Sequence, residues 1–254
     1  MSDILSHLEA GVHTLTLNRV ERKNALTGAM YSQLAEALEQ AATDPAVRVL
    51  VLQGEATVFC AGNDLNDFLH SPPLGADSPV LRFLRAIASF PKPLLAAVCG
   101  PAVGIGTTLL LHCDLVYAGD NAAFSLPFVN LGLCAEGASS LLLAQLMGHQ
   151  RAAEALLLGE PFYAEAALEA GLINKVLPPT EVNGYAQSVA RKLAAKPQPS
   201  LLETKRLMKQ GQQALVLQTI EQEALVFGRM LREPAAKEAF GAFMQKRQPD
   251  FSRL

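Results

Sequence analysis

The chain has 254 residues, half of them hydrophobic and 18% charged, with a net charge of -3. That is enough to bury one substantial core, alone or with a smaller appended domain, and it excludes a disordered chain. No apolar run approaches the roughly 20 residues of a membrane helix. The start, MSDILSHLEAG, lacks the basic and long apolar regions of a signal peptide, so a reducing, cytoplasmic setting is expected.

In chain order, GVHTLTLNR (11–19) alternates as a strand does, and MYSQLAEALEQA (30–41) sets Met30, Leu34, Leu38 and Ala41 on one helical face. VRVLVLQG (47–54) reads as a strand buried on both faces. The loop EATVFCAGND follows, with a helix through Leu65 and Phe68. The order then repeats: a strand at 92–100, a glycine-rich turn, a helix at 107–114 and a strand at LVYAG (115–119). Strand, loop, helix, strand is the grammar of crossover units. Beyond about residue 180 the patterns are all amphipathic helices, the last opened by Pro234 with Phe240, Phe243 and Met244 on one face. An α/β core over 1–190 and a helical part over 191–254 are therefore expected.

Charge follows the same division. Residues 1–190 hold 9 Lys+Arg against 18 Asp+Glu, and 191–254 hold 12 against 6. A basic tail suits phosphates or acidic partners, and it equally suits a solvated helical surface. Cys60, Cys99, Cys113 and Cys134 are scattered, which favours free thiols over a zinc site. The final Ser252-Arg253-Leu254 resembles a peroxisomal address tag, a match too short to outweigh the cytoplasmic reading.

Several chemistries are missing. GPAVGIG (100–106) has the place of a nucleotide-binding turn, but Leu109 stands where its third glycine belongs. There is no G-x-S-x-G, no H-E-x-x-H and no paired His/Cys spacing for a metal. His112 and Asp114 read as core residues. What remains are two small-residue loops, FCAGND and GPAVGIGTT, each running from a strand into a helix. Two such helix starts converging would offer free N–H groups to one oxygen as it turns negative. Downstream, NLGLCAEGASS (130–140) carries a single carboxylate, Glu136, among small and apolar residues. It is either a solvated turn acid or a group kept where a raised pKa is useful.

Taken together, NRVERKNAL (18–26), FCAGNDL (59–65), VCGPAVGIGTTLLLHCDLVYA (98–118), FSLPFVNLGL (124–133) and EAFGAFMQKRQPDF resemble the enoyl-CoA hydratase/isomerase superfamily, the crotonase fold. The resemblance implies a spiral of ββα units with a helical C-terminal part. It implies an oxyanion hole for a thioester carbonyl from the backbone N–H groups of Asn63 and Ile105, with Ala61, Gly62, Asp64, Leu65, Gly104 and Phe128 around the substrate. Asp64 also suits the N-cap of the next helix.

Hydratases of this family use two glutamates, and the matching positions here are Thr108 and Phe128. The delta3-delta2-enoyl-CoA isomerases of the peroxisomal type are similar in GNDL, GPAVGI and the segment before Glu136, where their catalytic glutamate falls. The implied ligand is an acyl-CoA, with Lys23 near the coenzyme A; Lys205, Lys246 and Arg247 stay unassigned. No cofactor or metal is implied beyond the substrate's own coenzyme A, and a homotrimer or hexamer is. The expected reaction is a 3-enoyl-CoA to trans-2-enoyl-CoA shift. Alternatives are a hydratase-like enzyme, an isomerase of aromatic-derived CoA thioesters, a non-catalytic acyl-CoA binder and an RNA-binding relative. The helix MYSQLAEALEQAA has no Lys or Arg to hold phosphates, which disfavours RNA.

Overall fold

The computed structural model describes residues 2–70, 75 and 77–252. Strands β1 (Ile4–Glu9) and β2 (Val12–Leu17) form an antiparallel hairpin at one edge of a six-stranded sheet. Helix α1 (Gly28–Thr43) starts where Thr27 Oγ1 accepts from Met30 N at 3.3 Å, a cap worth about 1 kcal/mol. Next come β3 (Val49–Gln53), α2 (Leu65–His70) and α3 (Pro79–Ala88). They lead to β4 (Leu94–Val98), β5 (Pro101–Val103) and α4 (Ile105–Thr108). The middle of the chain supplies β6 (Leu115–Gly119), β7 (Ala123–Ser125), α5 (Ser139–Met147) and α6 (His149–Leu158). Strand β8 (Phe162–Tyr163), α7 (Ala164–Glu169) and β9 (Lys175–Leu177) follow. Helices α8 (Pro179–Ala194), α9 (Gln198–Lys209), α10 (Gln213–Met230) and α11 (Pro234–Met244) complete the fold.

The large sheet runs β1-β2-β3-β4-β6-β9 and is parallel from β2 onward; a small sheet runs β5-β7-β8. Side chains alternate across the large sheet as the pleat requires. Leu50 and Leu52 of β3 join the core under α1 and α3, while Val49 and Val51 face Val182, Ala186 and Ala190 of α8. Burial on both faces explains why β3 and β4 read as unbroken apolar runs.

The two sheets are joined by the chain passing from one directly into the other. After β4, Gly100 takes φ +65° and turns into β5, and α4 begins at once; a Cβ on Gly100 would lie 2.0 Å from the Thr57 carbonyl oxygen. β6 and β7 repeat the move, and each pairs in parallel with its predecessor, β6 with β4 and β7 with β5. Successive strand-strand-helix units therefore stack like turns of a spiral.

Three details differ from the sequence reading. The glycine-rich segment after β4 contains strand β5. The helix expected at 107–114 starts earlier, at Ile105, and tightens into a 3-10 turn over Leu109–His112, as the chain must enter β6 at Leu115. Strand β1 gave no alternation because it is an edge strand with only Ile4 buried. No strand follows β9 among the described residues. Residue 190 falls within α8, and Val216 and Ile220 of α10 join the main core. Phe240 is buried, whereas Phe243 and Met244 are exposed. All four cysteines are free thiols. Among the described residues no helix is long and apolar enough to cross a membrane. Arg253 and Leu254, two thirds of the suspected address tag, lie outside the described residues.

Candidate active site

The loops 60–63 and 101–105 are zipped together by backbone alone. Cys60 N donates to Pro101 O at 3.0 Å and Val103 N donates to Cys60 O at 2.9 Å. Glycine makes the approach possible: a Cβ on Gly62 would sit 3.1 Å from Val103 O, and one on Gly106 would sit 2.6 Å from Cys60 O. Gly104 adopts φ 55°, ψ -117°, and Gly62 φ 93°, both outside the usual range of other residues. Immediately beyond this zipper stand Asn63 and Ile105. Among the described residues neither amide donates to a protein acceptor, so both N–H groups are available to a ligand oxygen.

A third segment is stitched to the first. Ala61 N donates to Lys23 O at 3.0 Å, Leu26 N to Gly62 O at 2.8 Å and Asp64 N to Leu26 O at 2.9 Å. Buried Asn24 anchors it further, its amide donating to Phe59 O at 3.0 Å. Asp64 caps α2 by accepting from Asn66 N and Asp67 N, and it accepts from Arg19 Nη1 at 2.7 Å. These partners hold its carboxyl below the usual range against the opposing effect of burial. Its carboxylate is thus committed to the scaffold.

One cavity of about 410 Å³ opens here. Lys23, Ala61, Gly62, Asn63, Asp64, Leu65, Gly104, Ile105 and Phe128 all line it, so the nine residues assigned from sequence to the oxyanion hole and substrate contacts share one wall system. Arg22 and exposed Lys23 stand at its basic margin. Phe68, Phe227, Phe240 and Phe243 add an aromatic side, with Phe68 edge-on to Phe227 at 6.1 Å. Lys205 is elsewhere, its ammonium bound to Asp114 Oδ2 at 2.6 Å, and Arg247 pairs with Glu238.

Glu136 is not among the residues lining that cavity. It lies beside it, 8% exposed, where Thr108 Oγ1 donates to its Oε1 at 2.5 Å. Burial pushes its carboxyl up to about 8, against the Thr108 bond, which favours the ionised form, and with help from the nearby carboxyl of Glu223. The solvated-turn reading of Glu136 is therefore excluded. Of the residues that the sequence offers as apolar walls for it, Phe128, Leu131, Leu133 and Cys134, the first three line the cavity; Cys134 does not, and its Sγ donates instead to Glu223 O.

The turn that carries Glu136 is held on every side. Ser139 Oγ donates to Glu136 O at 2.7 Å, and the His112 ring Nε2 donates to Gly137 O at 2.9 Å. His112 is fully buried and depressed to about 4, chiefly by burial, so it stays neutral. Tyr31 links the two halves of the site: it is buried, its hydroxyl donates to Asn63 Oδ1 at 2.5 Å, and the Glu136 charge acts on it. Neither Tyr31 nor Glu223 was singled out from sequence. Glu223 had a legible signal, an acid on the same helical face as Val216, Ile220 and Phe227. Among the described residues no group of three or more His, Cys, Asp or Glu is placed to hold a metal. The arrangement can bind a developing oxyanion through two amides and move a proton with one weakly acidic carboxyl.

A family model described as enoyl-CoA hydratase/isomerase matches residues 7–253. The chain is 36% identical over 252 residues to the 2,3-dehydroadipyl-CoA hydratase of Escherichia coli strain K12, covering 99% of both. It is 38% identical over 265 residues to the 1,2-epoxyphenylacetyl-CoA isomerase of the same organism, again covering 99% of both. The solved structure of Pseudomonas aeruginosa OdaA superposes with a TM-score of 0.93 at 48% identity, over 96% of this chain and 99% of that one.

Proposed function

The chain belongs to the enoyl-CoA hydratase/isomerase family, and from that premise we propose that it is a CoA-thioester isomerase that shifts the double bond of a 3-enoyl-CoA to trans-2-enoyl-CoA. The observation that carries this reading is the buried carboxyl of Glu136, with one hydroxyl donor, in a site that also offers two free amides; the resemblance adds that Thr108 and Phe128 stand where hydratases place their acids. Water addition needs one group to activate water and another to protonate carbon; a double-bond shift needs a single acid that takes and returns one proton.

In this mechanism the thioester oxygen lies between the Asn63 and Ile105 amides. Ionised Glu136 removes a proton from C2, and the electron pair spreads over the dienolate to that oxygen. The same carboxyl then returns the proton to C4, leaving the double bond conjugated with the thioester. Thr108 holds the carboxyl in the free chain, and catalytic contacts of this kind commonly tighten only when substrate is present. A base with an affinity near neutrality suits an activated carbon acid better than an ordinary glutamate does. Lys23 at the cavity margin is the proposed contact for coenzyme A. Apolar side chains left exposed on the C-terminal helices, among them Met208, Leu225 and Met244, support the homotrimeric or hexameric assembly implied by the resemblance.

A second reading keeps the chemistry and changes the acyl group. The phenylalanine side of the cavity and the similarity to an isomerase of a phenylacetyl-derived thioester support an aromatic substrate. The deciding assay follows the ultraviolet absorbance of the conjugated 2-enoyl thioester formed from trans-3-hexenoyl-CoA, for the native protein and Glu136→Gln. Conversion that collapses in the variant is expected. No conversion by folded native protein would overturn the aliphatic reading and point to another CoA thioester or to a binding role, and undiminished turnover in Glu136→Gln would remove Glu136 as the base.

A further inference from the structure

Glu223 is a buried acid for which the proton transfer above has no use. It comes from α10, far along the chain, yet its carboxylate is spent wholly on the turn that carries Glu136. Oε2 accepts from Ala138 N at 2.6 Å, and Oε1 accepts from Ser140 N at 3.0 Å and Ser140 Oγ at 2.5 Å. That turn needs holding. Gly137 and Ala138 are consecutive left-handed residues, at φ 68° and 59°, and Ala138 carries a Cβ that disfavours this conformation. Helix α5 has no capping side chain of its own at Ala138, so Glu223 supplies the anion at its start.

The neighbourhood is short of positive charge. Glu136 meets Thr108 from α4, Tyr31 from α1, Cys134 on its own segment and Glu223 from α10. Tyr31 and Cys134 are pushed toward their neutral forms by burial, and His112, bonded to Gly137 O, is neutral as well. The nearby cations act one residue removed, Lys209 and Lys205 on His112 and Arg229 on Cys134. Of the two carboxyls, Glu223 receives three donors and Glu136 one. Burial pushes both carboxyls up, but hydrogen bonds to a carboxylate favour its ionised form, so the first ionisation of the pair belongs to Glu223 and the second to Glu136.

Resting on the reading of Glu136 as the base, we propose that Glu223 is a positioning residue for the proton transfer. Its carboxylate fixes the left-handed turn behind Glu136 and carries the first negative charge of the pair, which leaves Glu136 as the member that takes and releases the proton. A helix cap and nothing more would supply the first of these effects without the second.

The test is Glu223→Gln, which retains an oxygen acceptor and removes the charge. Carboxyl carbon-13 NMR of glutamate-labelled protein, with the Glu136 resonance assigned by its loss in Glu136→Gln, reads the titration without any substrate. The expected result is a Glu136 midpoint lowered by about half a pH unit or more. The acid limb of kcat/KM moves the same way, and KM changes less than about twofold. A folded variant with an unmoved midpoint overturns the proposal and leaves Glu223 as a cap alone. If Glu223→Gln does not fold, Ser140→Ala decides: loss of that hydroxyl donor should raise the lower ionisation step of the pair, and an unmoved lower step overturns the proposal. A moved midpoint in protein that fails to isomerise any 3-enoyl-CoA would sink the isomerase reading and keep the coupling of the two acids.

Discussion

The two halves of the site are built from different materials. The half around Asn63 and Ile105 is backbone: two loops zipped by main-chain hydrogen bonds, with glycines where a side chain would hold them apart. The half around Glu136 is side chain: a carboxyl fixed by Thr108, on a turn held by His112 and Glu223 from two other elements and by Ser139 at its own helix start. A backbone site depends on closeness and fails when the chains are pushed apart. A side-chain site depends on charge balance, and it changes its working pH before it fails.

The largest test of that contrast removes the acid. Glu136→Gln should lower kcat on 3-hexenoyl-CoA by roughly a thousandfold, within the usual range for general acid–base groups. The same variant should be more stable than the native protein at alkaline pH. Native Glu136 titrates near 8 when folded and near 4.5 when unfolded. Between those values the folded chain holds a proton that the unfolded chain has released, so native stability falls as pH rises through that window. Above pH 8 the full difference, up to about 5 kcal/mol, separates the two proteins. Urea unfolding of both at pH 5 and pH 8.5 measures it. A gap that does not widen with pH would mean the carboxyl is not held at a raised affinity in solution.

The next test breaks the backbone half. Gly106→Ala places a Cβ 2.6 Å from Cys60 O and 2.9 Å from Cys60 Cβ, neither of which can rotate away. The loops must separate, and the Asn63 and Ile105 amides cease to converge. The expected outcome is a loss of about a hundredfold in kcat, comparable with removal of an oxyanion donor, with the acid limb of the pH profile unmoved. A limb displaced together with the loss would show that the two halves are not independent, and the Tyr31 bond to Asn63 would then be the connection to examine.

How much of this was readable in the residues follows the same division. Strand β2, α1 and the late helices could be read because each carries its own periodicity, β3 and β4 because they are short unbroken apolar runs, and the two loops because glycine spacing is local. Strand β1 could not be, since its pairing with β2 uses backbone groups and leaves its side chains in water. Glu136 was identified through resemblance, and the local sequence by itself favoured a solvated turn. Its burial comes from segments far away in the chain, Thr108 being 28 positions back and Glu223 87 positions ahead. The Thr108–Glu136 bond illustrates the limit: the threonine was noted for the acid it lacks, and its actual part is to donate to the acid that remains.

That bond supplies the smallest effect and the finest discrimination. Thr108→Val keeps the shape of a fully buried side chain and deletes the hydroxyl. The hydroxyl favours the ionised carboxylate, so its loss raises the affinity of Glu136 for a proton beyond its already high value. The acid limb of kcat/KM should move up by about one unit, a tenfold deficit at pH 7 that closes as the pH rises past the new limb. This is opposite in sign to the shift from Glu223→Gln, though both substitutions remove one polar partner from the same pair of acids. Opposite shifts would place both residues on the proton affinity of Glu136. Equal losses with no shift in either variant would mean that this half of the site, too, works by geometry alone.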